Sequence, residues 1–509
     1  MEVNWTLGLV SCITLFFLIL ISRKKTATNE KRQPPAPPGW PVFGNLFNLG
    51  TMPHRTVAGL ATKYGPIVRL KLGSVNTVAV LNVKTATELF KNHDLTFVDR
   101  TITETSKSHD YDKSSLALAP YGMYWRVLKK ICTVEMLVAK RINESTDVRR
   151  RCVDNMLAWI EKDGSLAKVG SGVYISKFVF LASFNLLGNL MLSRDLANPD
   201  SKVGSEFFDL MLGLMEWGGH PNISDLYPWL KWFDLQGLRK KMDRDMAKAV
   251  AIATTWVDER MEERQKEAER RGEQRKDFLD VLLDYEGTGK DEPEKMSKKD
   301  ITVFILEIFL AGSETTSSTV EWALSELLRC PAKLTRAKDE LASVVGPNQK
   351  LEETSIDNLP YLQAIIKETL RLHAPIPFLV PRKAGQDTDF MGYHIPKGTQ
   401  LFVNAWAIGR DPEYWENPDS FEPERFLGSK IDYKGQNYEL IPFGAGRRIC
   451  AGIPLAHRVL HLVLGSLLHE FDWELESHMS ADKLDMNDQL GIVVRRRQPL
   501  KVIPTKVKC

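Results

Sequence analysis

Between Ser297 and Pro331 the sequence predicts one helix of about 30 residues, roughly 45 Å long and enough to cross a whole domain. Ser297-Lys298-Lys299-Asp300 starts it as the looser, acid-ended form of a capping box. Pro331, which lacks an N–H and fixes φ, stops it after Cys330. The stretch Phe304 to Ala311 is apolar apart from Glu307, so both faces of the helix are covered there. The middle reads Ala311-Gly312-Ser313-Glu314-Thr315-Thr316, poor helix material, and such interruptions in a buried helix mark function. A helix this long needs a large body around it. The 509 residues carry no internal repeat and no second linker, which favours one large domain over several small ones.

Composition narrows the function classes. Apolar residues make up 43% and charged residues 26%, as in ordinary globular chains. A mean hydropathy of −0.23 excludes a multi-span transporter, and a net charge of +3 is too near balance for a nucleic-acid partner. Six scattered cysteines do not make a disulfide scaffold, so any cysteine that matters acts as a single thiolate. Val68 to Val83 predicts a hairpin around Gly73-Ser74, and residues 376–404 are strand-like with Gly392, Pro396 and Gly398 at turns. Ala119 to Tyr285 is mostly helical, and the charge run Asp258 to Asp277 is a solvated face without chemistry. The fold class is therefore mainly α with small β-sheets (α+β).

Val3 to Ser22 is an uncharged stretch long enough for a bilayer core, followed by Arg23, Lys24, Lys25, Lys31 and Arg32. Basic residues on the C-terminal side put that side in the cytosol. A cleaved signal wants positive charge before the apolar run and a small-residue cleavage site after it, and neither is present. Residues 1–22 are thus expected to be a single transmembrane signal-anchor helix, 23–41 a basic stop and proline-rich hinge, and 42–509 the catalytic domain. Pro34-Pro35-Ala36-Pro37-Pro38-Gly39-Trp40-Pro41 reads as a semi-rigid extended spacer.

Phe443-Gly444-Ala445-Gly446-Arg447-Arg448-Ile449-Cys450-Ala451-Gly452 precedes a helical run, Leu455 to Phe471. Glycines ahead of Cys450 allow a tight turn and close approach to a flat ligand. Backbone N–H groups at a helix start favour a thiolate, and Arg448 adds positive charge for an acidic ligand edge. A lone cysteine beside a helix is ordinarily structural, whereas the whole spacing F-x-x-G-x-R-x-C-x-G is far more specific.

With that segment the chain resembles the cytochrome P450 haem-thiolate monooxygenases of the plant microsomal type, from the anchor and proline hinge to the C-terminus. The resemblance implies haem b (iron protoporphyrin IX) with Cys450 as the metal ligand and Phe443, Gly444 and Gly446 in the cofactor loop. Glu368-Thr369-Leu370-Arg371 looks like the family's E-x-x-R and Pro423-Glu424-Arg425-Phe426 like its P-E-R-F, which implies a buried triad of Glu368, Arg371 and Arg425. Ala311 to Thr316 resembles the oxygen-binding helix segment, with Thr315 bonding the oxygen and Glu314 relaying protons. Thiolate ligation favours O–O cleavage. Haem propionates would be met by Trp125, Arg382 and Arg448. The family's W-x-x-x-R arginine is replaced by Lys129, which neutralises charge without a bidentate fork, and Arg126 is a substitute. His373 reads as a satisfied core histidine.

Electrons must come from outside, because no G-x-G-x-x-G opens a βαβ unit. The resemblance implies an NADPH-cytochrome reductase docking near Lys129, Lys130, Arg447 and Arg458, with O2 as co-substrate. It also implies the endoplasmic reticulum membrane, with a single pass and a cytosol-facing catalytic domain. Helical spacing back from Thr315 puts Ala311, Ile308 and Phe304 on one face. By family analogy Phe378 and Leu379, the loop 100–120 and Ile492 complete a pocket for a small hydrophobic substrate. The overall pattern resembles the group containing geraniol hydroxylases and iridoid oxidases, so a monoterpenoid or iridoid is expected, with alkaloid or phenolic hydroxylation as the alternative. A haem-thiolate isomerase or dehydratase that does not use O2 is a further alternative, against which the intact Glu314-Thr315 pair counts.

Overall fold

The computed structural model describes residues 32–166, 171–270, 277–289 and 291–507. The expected anchor, the first part of the hinge, Cys12 and Cys509 lie outside these residues. What is described of the proline segment is laid along the body. Pro35 O accepts from Arg69 N at 2.8 Å, and Asn45 Nδ2 donates to Pro37 O and Pro38 O at 3.2 and 3.1 Å. Prolines offer carbonyls but no N–H, so the prolines of the segment can only accept, while Trp40 N donates to Gly44 O at 2.7 Å.

The long helix runs from Lys298 to Arg329, and Pro331 opens the next one, Pro331–Val345. Ser297 Oγ accepts from Asp300 N at 3.1 Å and donates to Asp300 Oδ2 at 2.6 Å. The acid therefore closes on the capping hydroxyl. Apolar flanks bury the helix against Ile175–Leu192, Leu238–Arg270 and Ile453–Glu470. Phe309 sits between Phe184 and Trp256, at ring centroid distances of 4.8 and 5.2 Å. Ile175–Leu192 is long and apolar enough to cross a membrane, but it is packed within the body as a core helix. Helix Leu238–Arg270 holds the start of the charge run, and one of its residues, Arg260, is buried against Asp280 at 3.1 Å.

The predicted hairpin forms as Ile67–Leu72 and Val75–Val80, antiparallel and closed at Gly73, whose φ of +57° suits glycine. It continues into a five-stranded sheet through Gln400–Val403 (parallel to Val75–Val80), Arg382–Lys383 and Asp99–Arg100. Smaller sheets pair Val173–Tyr174, Lys501–Lys506 and Phe471–Leu475, and Asp488–Gln489 with Arg495–Arg496. The architecture is mostly helical with small sheets, as expected.

Candidate active site

The cysteine loop is shaped by its backbone. Gly444 and Gly446 have φ of +71° and +70°, which side-chain-bearing residues rarely adopt. A Cβ on Gly446 would stand 2.4 Å from Asp94 Oδ1. Cys450 N donates to Phe443 O at 3.1 Å, closing the loop, and Gly452 N donates to Cys450 Sγ at 3.3 Å just before helix Ile453–Glu470. The bulk of the chain surrounds Cys450, yet its immediate surface is bare, the geometry of a thiol on the wall of an internal cleft. Burial pushes the thiol pKa up, while the Gly452 N–H, the Lys129 charge and the Ile453 N–H oppose it.

Beside the loop, Arg100 and Arg382 are direct partners across two antiparallel strands, so both side chains leave the same face. Like charges directly opposite are destabilising unless something compensates. Arg448 joins them. Arg382 donates to Asp94 Oδ1 at 2.8 Å, whereas Arg100 donates to Ala117 O and Val380 O and Arg448 to Val98 O and Ala119 O. All three are buried. Burial pulls the Arg100 pKa well down, helped by the charges of Arg382 and Arg448. Burial and then Arg382 lower Arg448 to about 10. A buried cationic surplus next to a bare thiol fits a dianionic, metal-bearing ring, and a bound metal would favour the thiolate that burial disfavours.

The long helix supplies another wall. It is buried along most of its length, but Ala311 is exposed and Ile308, Gly312 and Thr315 are half-exposed on one face. Thr315 Oγ1 donates to Ala311 O at 2.6 Å and Thr316 Oγ1 to Gly312 O at 2.8 Å, back-bonds of a kind that bend helices. Glu314 is 2% exposed, and neither carboxylate oxygen has a hydrogen-bond partner among the described residues. Burial pushes its pKa up to about 8 against the opposing charge of Arg495. At neutral pH this acid carries its proton.

Loop 115–119 joins the helix to the arginines. Glu307 accepts from Ser115 Oγ at 2.5 Å, Leu116 N at 2.6 Å, Ala117 N at 2.9 Å and Tyr111 OH at 3.3 Å. In turn, Leu116 O accepts from Trp125 Nε1 at 2.8 Å and Ala117 O from Arg100 Nε at 3.0 Å. Arg100 and Glu307 were not among the predicted site residues. Glu307 had a signal, as the one charge in an apolar helix run. Arg100 had none, because its pairing with Arg382 spans most of the chain.

Several expected residues sit differently. Lys129 is half-buried and donates to Ile449 O at 2.6 Å, so it braces the cysteine loop, close enough to Cys450 and Arg448 for their charges to act on it. Its substitute Arg126 is exposed over the Tyr121 ring. Trp125 has its N–H on Leu116 O and the Arg448 guanidinium 4.4 Å over its ring. Phe304 is fully buried beside Phe278, which covers there the face that Ile308 and Ala311 leave bare further along. Phe378 stacks on Phe402 at 4.6 Å in the sheet-side core. Leu379 reaches the cysteine loop, its Cδ1 3.7 Å from where a Cβ on Gly444 would stand. Ile492 is 38% exposed, its N donating to Met215 O at 3.0 Å. Of the basic candidates, Lys130 and Arg447 are exposed and Arg458 half-buried.

The E-x-x-R and P-E-R-F segments meet as expected. Arg371 donates to Glu368 Oε2 and Oε1 at 2.7 and 2.8 Å, and Arg425 donates to Oε1 at 3.1 Å. His373 is satisfied by Glu326 at 2.7 Å and stacks on Trp322.

A match to the cytochrome P450 family covers residues 34–503. Cytochrome P450 76A2 of Solanum melongena is 55% identical over 99% of this chain and 100% of its own length. Iridoid oxidase of Catharanthus roseus is 51% identical over 96% of each. A solved zebra fish cytochrome P450 with progesterone superimposes at a TM-score of 0.74, covering 89% of this chain and 99% of that one at 24% identity, and shares the fold. The chain belongs to the cytochrome P450 family. It is an oxidoreductase of the monooxygenase type, using haem and O2 with electrons from a redox partner.

Proposed function

We propose that this P450 oxidises a monoterpenoid or iridoid, with electrons from NADPH passed by a membrane-bound reductase. The substrate reading is supported by the likeness to iridoid oxidase and by the apolar residues Ile308 and Ala311 on the bare helix face. In this reading Cys450 ligates the haem iron, and Arg100, Arg382 and Arg448 hold its carboxylates. The bound haem supplies the oxygen activation, for which thiolate ligation favours O–O cleavage. The chain's own work is proton handling. Glu314 holds a proton in dry surroundings, Thr315 stands next to it on the bare face, and solvent restores the proton once given. The observation that carries this is Glu314 itself, buried with neither oxygen hydrogen-bonded among the described residues, beside the bare stretch in the middle of the helix.

The same reading seats the body on the endoplasmic reticulum membrane by residues 1–22, facing the cytosol. Support comes from an exposed aromatic surface: Trp229, Trp232 and Phe233 are 61%, 84% and 70% exposed, near Phe43 through Tyr227. Aromatic surface of this kind marks an interaction site and suits a bilayer interface.

The test is a spectral binding screen of monoterpenoids, iridoids, alkaloids and phenolics, then product analysis with reductase and NADPH. An oxidised monoterpenoid or iridoid is expected. Products from alkaloids or phenolics alone would overturn the substrate reading, and turnover of a hydroperoxide without NADPH would overturn the electron route. Cys450→Ala is expected to abolish the shifted Soret band of the CO-bound ferrous protein, and an unchanged band would remove the ligand assignment.

A further inference from the structure

Among the described residues Glu314 has one cation at ion-pair distance. Arg495 Nε lies 3.6 Å from Glu314 Oε1, an ion-pair distance too long for a hydrogen bond. Arg495 is on the strand Arg495–Arg496, paired through Gln489 with Asp488–Gln489, so it stands directly after the turn that carries Ile492. That hairpin is fixed to three other elements. Ile492 N donates to Met215 O at 3.0 Å, Val494 N to Pro375 O at 2.8 Å, and Ser318 Oγ donates to Val494 O at 3.1 Å. Ser318 is one helical turn beyond Glu314. The helix therefore grips the hairpin at Val494, and the next residue of the hairpin reaches back to Glu314.

Other titratable groups near this pair are Tyr174, from strand Val173–Tyr174, and Glu321, two turns along the same helix. Glu321 is buried too, but it accepts from Leu500 N at 2.7 Å and Ser176 Oγ at 3.2 Å, and feels Arg496 more than Arg495. Glu314 has no such donors, so Arg495 is its main polar neighbour.

We infer that Arg495 is a positioning residue for the reaction, holding Glu314 at the cavity wall and stabilising its carboxylate after the proton has left. The inference rests on the proton-handling reading of Glu314. The Glu314 O–H bond breaks as a new O–H bond forms at the Thr315 hydroxyl, that hydroxyl gives its own proton to the reduced oxygen co-substrate, and a solvent proton later restores the acid. A carboxylate left in a dry site is costly, and a buried acid without a cation near it keeps its proton instead of giving it. Arg495 opposes the burial that raises the Glu314 pKa to about 8, so its loss raises that value further.

The experiment uses the full haem-loaded chain with reductase, NADPH and geraniol as the probe, reading peroxide released per NADPH across pH. The Glu314 carboxyl is titrated separately by infrared difference spectroscopy in the ferric protein without reductase, against an E314Q control. Arg495→Gln is expected to raise peroxide release and to move both midpoints up by about 1–3 pH units. Arg495→Lys is expected to restore them most of the way. In the E314Q background Arg495→Gln is expected to change nothing further. Midpoints unmoved by R495Q, or an R495Q effect that persists without Glu314, would overturn the role of Arg495. An E314Q variant as well coupled as the wild type would overturn the proton-handling reading itself.

Discussion

Glu368 and Glu314 are both buried glutamates on helices, and they are treated in opposite ways. Glu368 is fully buried and accepts from Arg371 twice, from Arg425 and from Glu422 N at 2.7 Å. Glu314 accepts no hydrogen bond among the described residues and has Arg495 as its ion-pair neighbour. A third acid, Glu307, lies between these extremes, with neutral donors and no cation in its bonding set. Burial costs each of them the same kind of desolvation. What differs is the compensation, and it separates a carboxylate that holds the fold from one that can exchange a proton.

The largest effect that sharpens this contrast is Glu368→Gln. It leaves Arg371 buried without its anion and Arg425 with Glu422 alone, an expected loss of about 3–5 kcal/mol, read by thermal unfolding and haem incorporation. A variant of wild-type stability would break the contrast.

Glu314→Gln is expected to act through pH. The folded-state pKa of about 8 lies above the ordinary carboxylate value, so the folded chain binds more protons than the unfolded one between the two. Stability then falls as pH rises through that window, by up to about 1.4 kcal/mol per unit, and flattens beyond the folded value. E314Q removes this slope, matching the wild type near the acid end and exceeding it at alkaline pH. Melting temperatures across that range check it, and parallel curves would show that Glu314 is not held neutral. In turnover the same variant loses proton delivery, worth about 10²–10⁴-fold, with electrons diverted to peroxide.

The smallest effect belongs to the intermediate acid. Ser115→Ala removes one of the Glu307 donors and is expected to cost about 1 kcal/mol, read by urea unfolding. A loss as large as that of E368Q would move Glu307 into the same class as Glu368.

Much of this was legible in the sequence wherever the partners are neighbours along the chain. Ser297 and Asp300, Glu368 and Arg371, and the glycines before Cys450 lie within a turn or a loop of one another, so spacing alone brings them together. The hairpin at Gly73 followed from alternation and a turn. Phe304 was misassigned because helical spacing gives an angle but not a neighbour, and Phe278 covers that side. For Lys129 the resemblance implies only a charge near the propionates, and the fold adds that its helix, Met123–Ile131, presents it to the carbonyl of Ile449.

By itself, then, the sequence determined the cysteine loop, the long helix with its polar interruption, and the family to which both belong. Tertiary structure alone decided that Arg100 faces Arg382, that Glu307 holds the loop 115–119, and that Arg495 reaches Glu314. Each of these joins residues far apart in the chain, and the free energy of a buried charge depends on what the fold brings within a few ångströms of it.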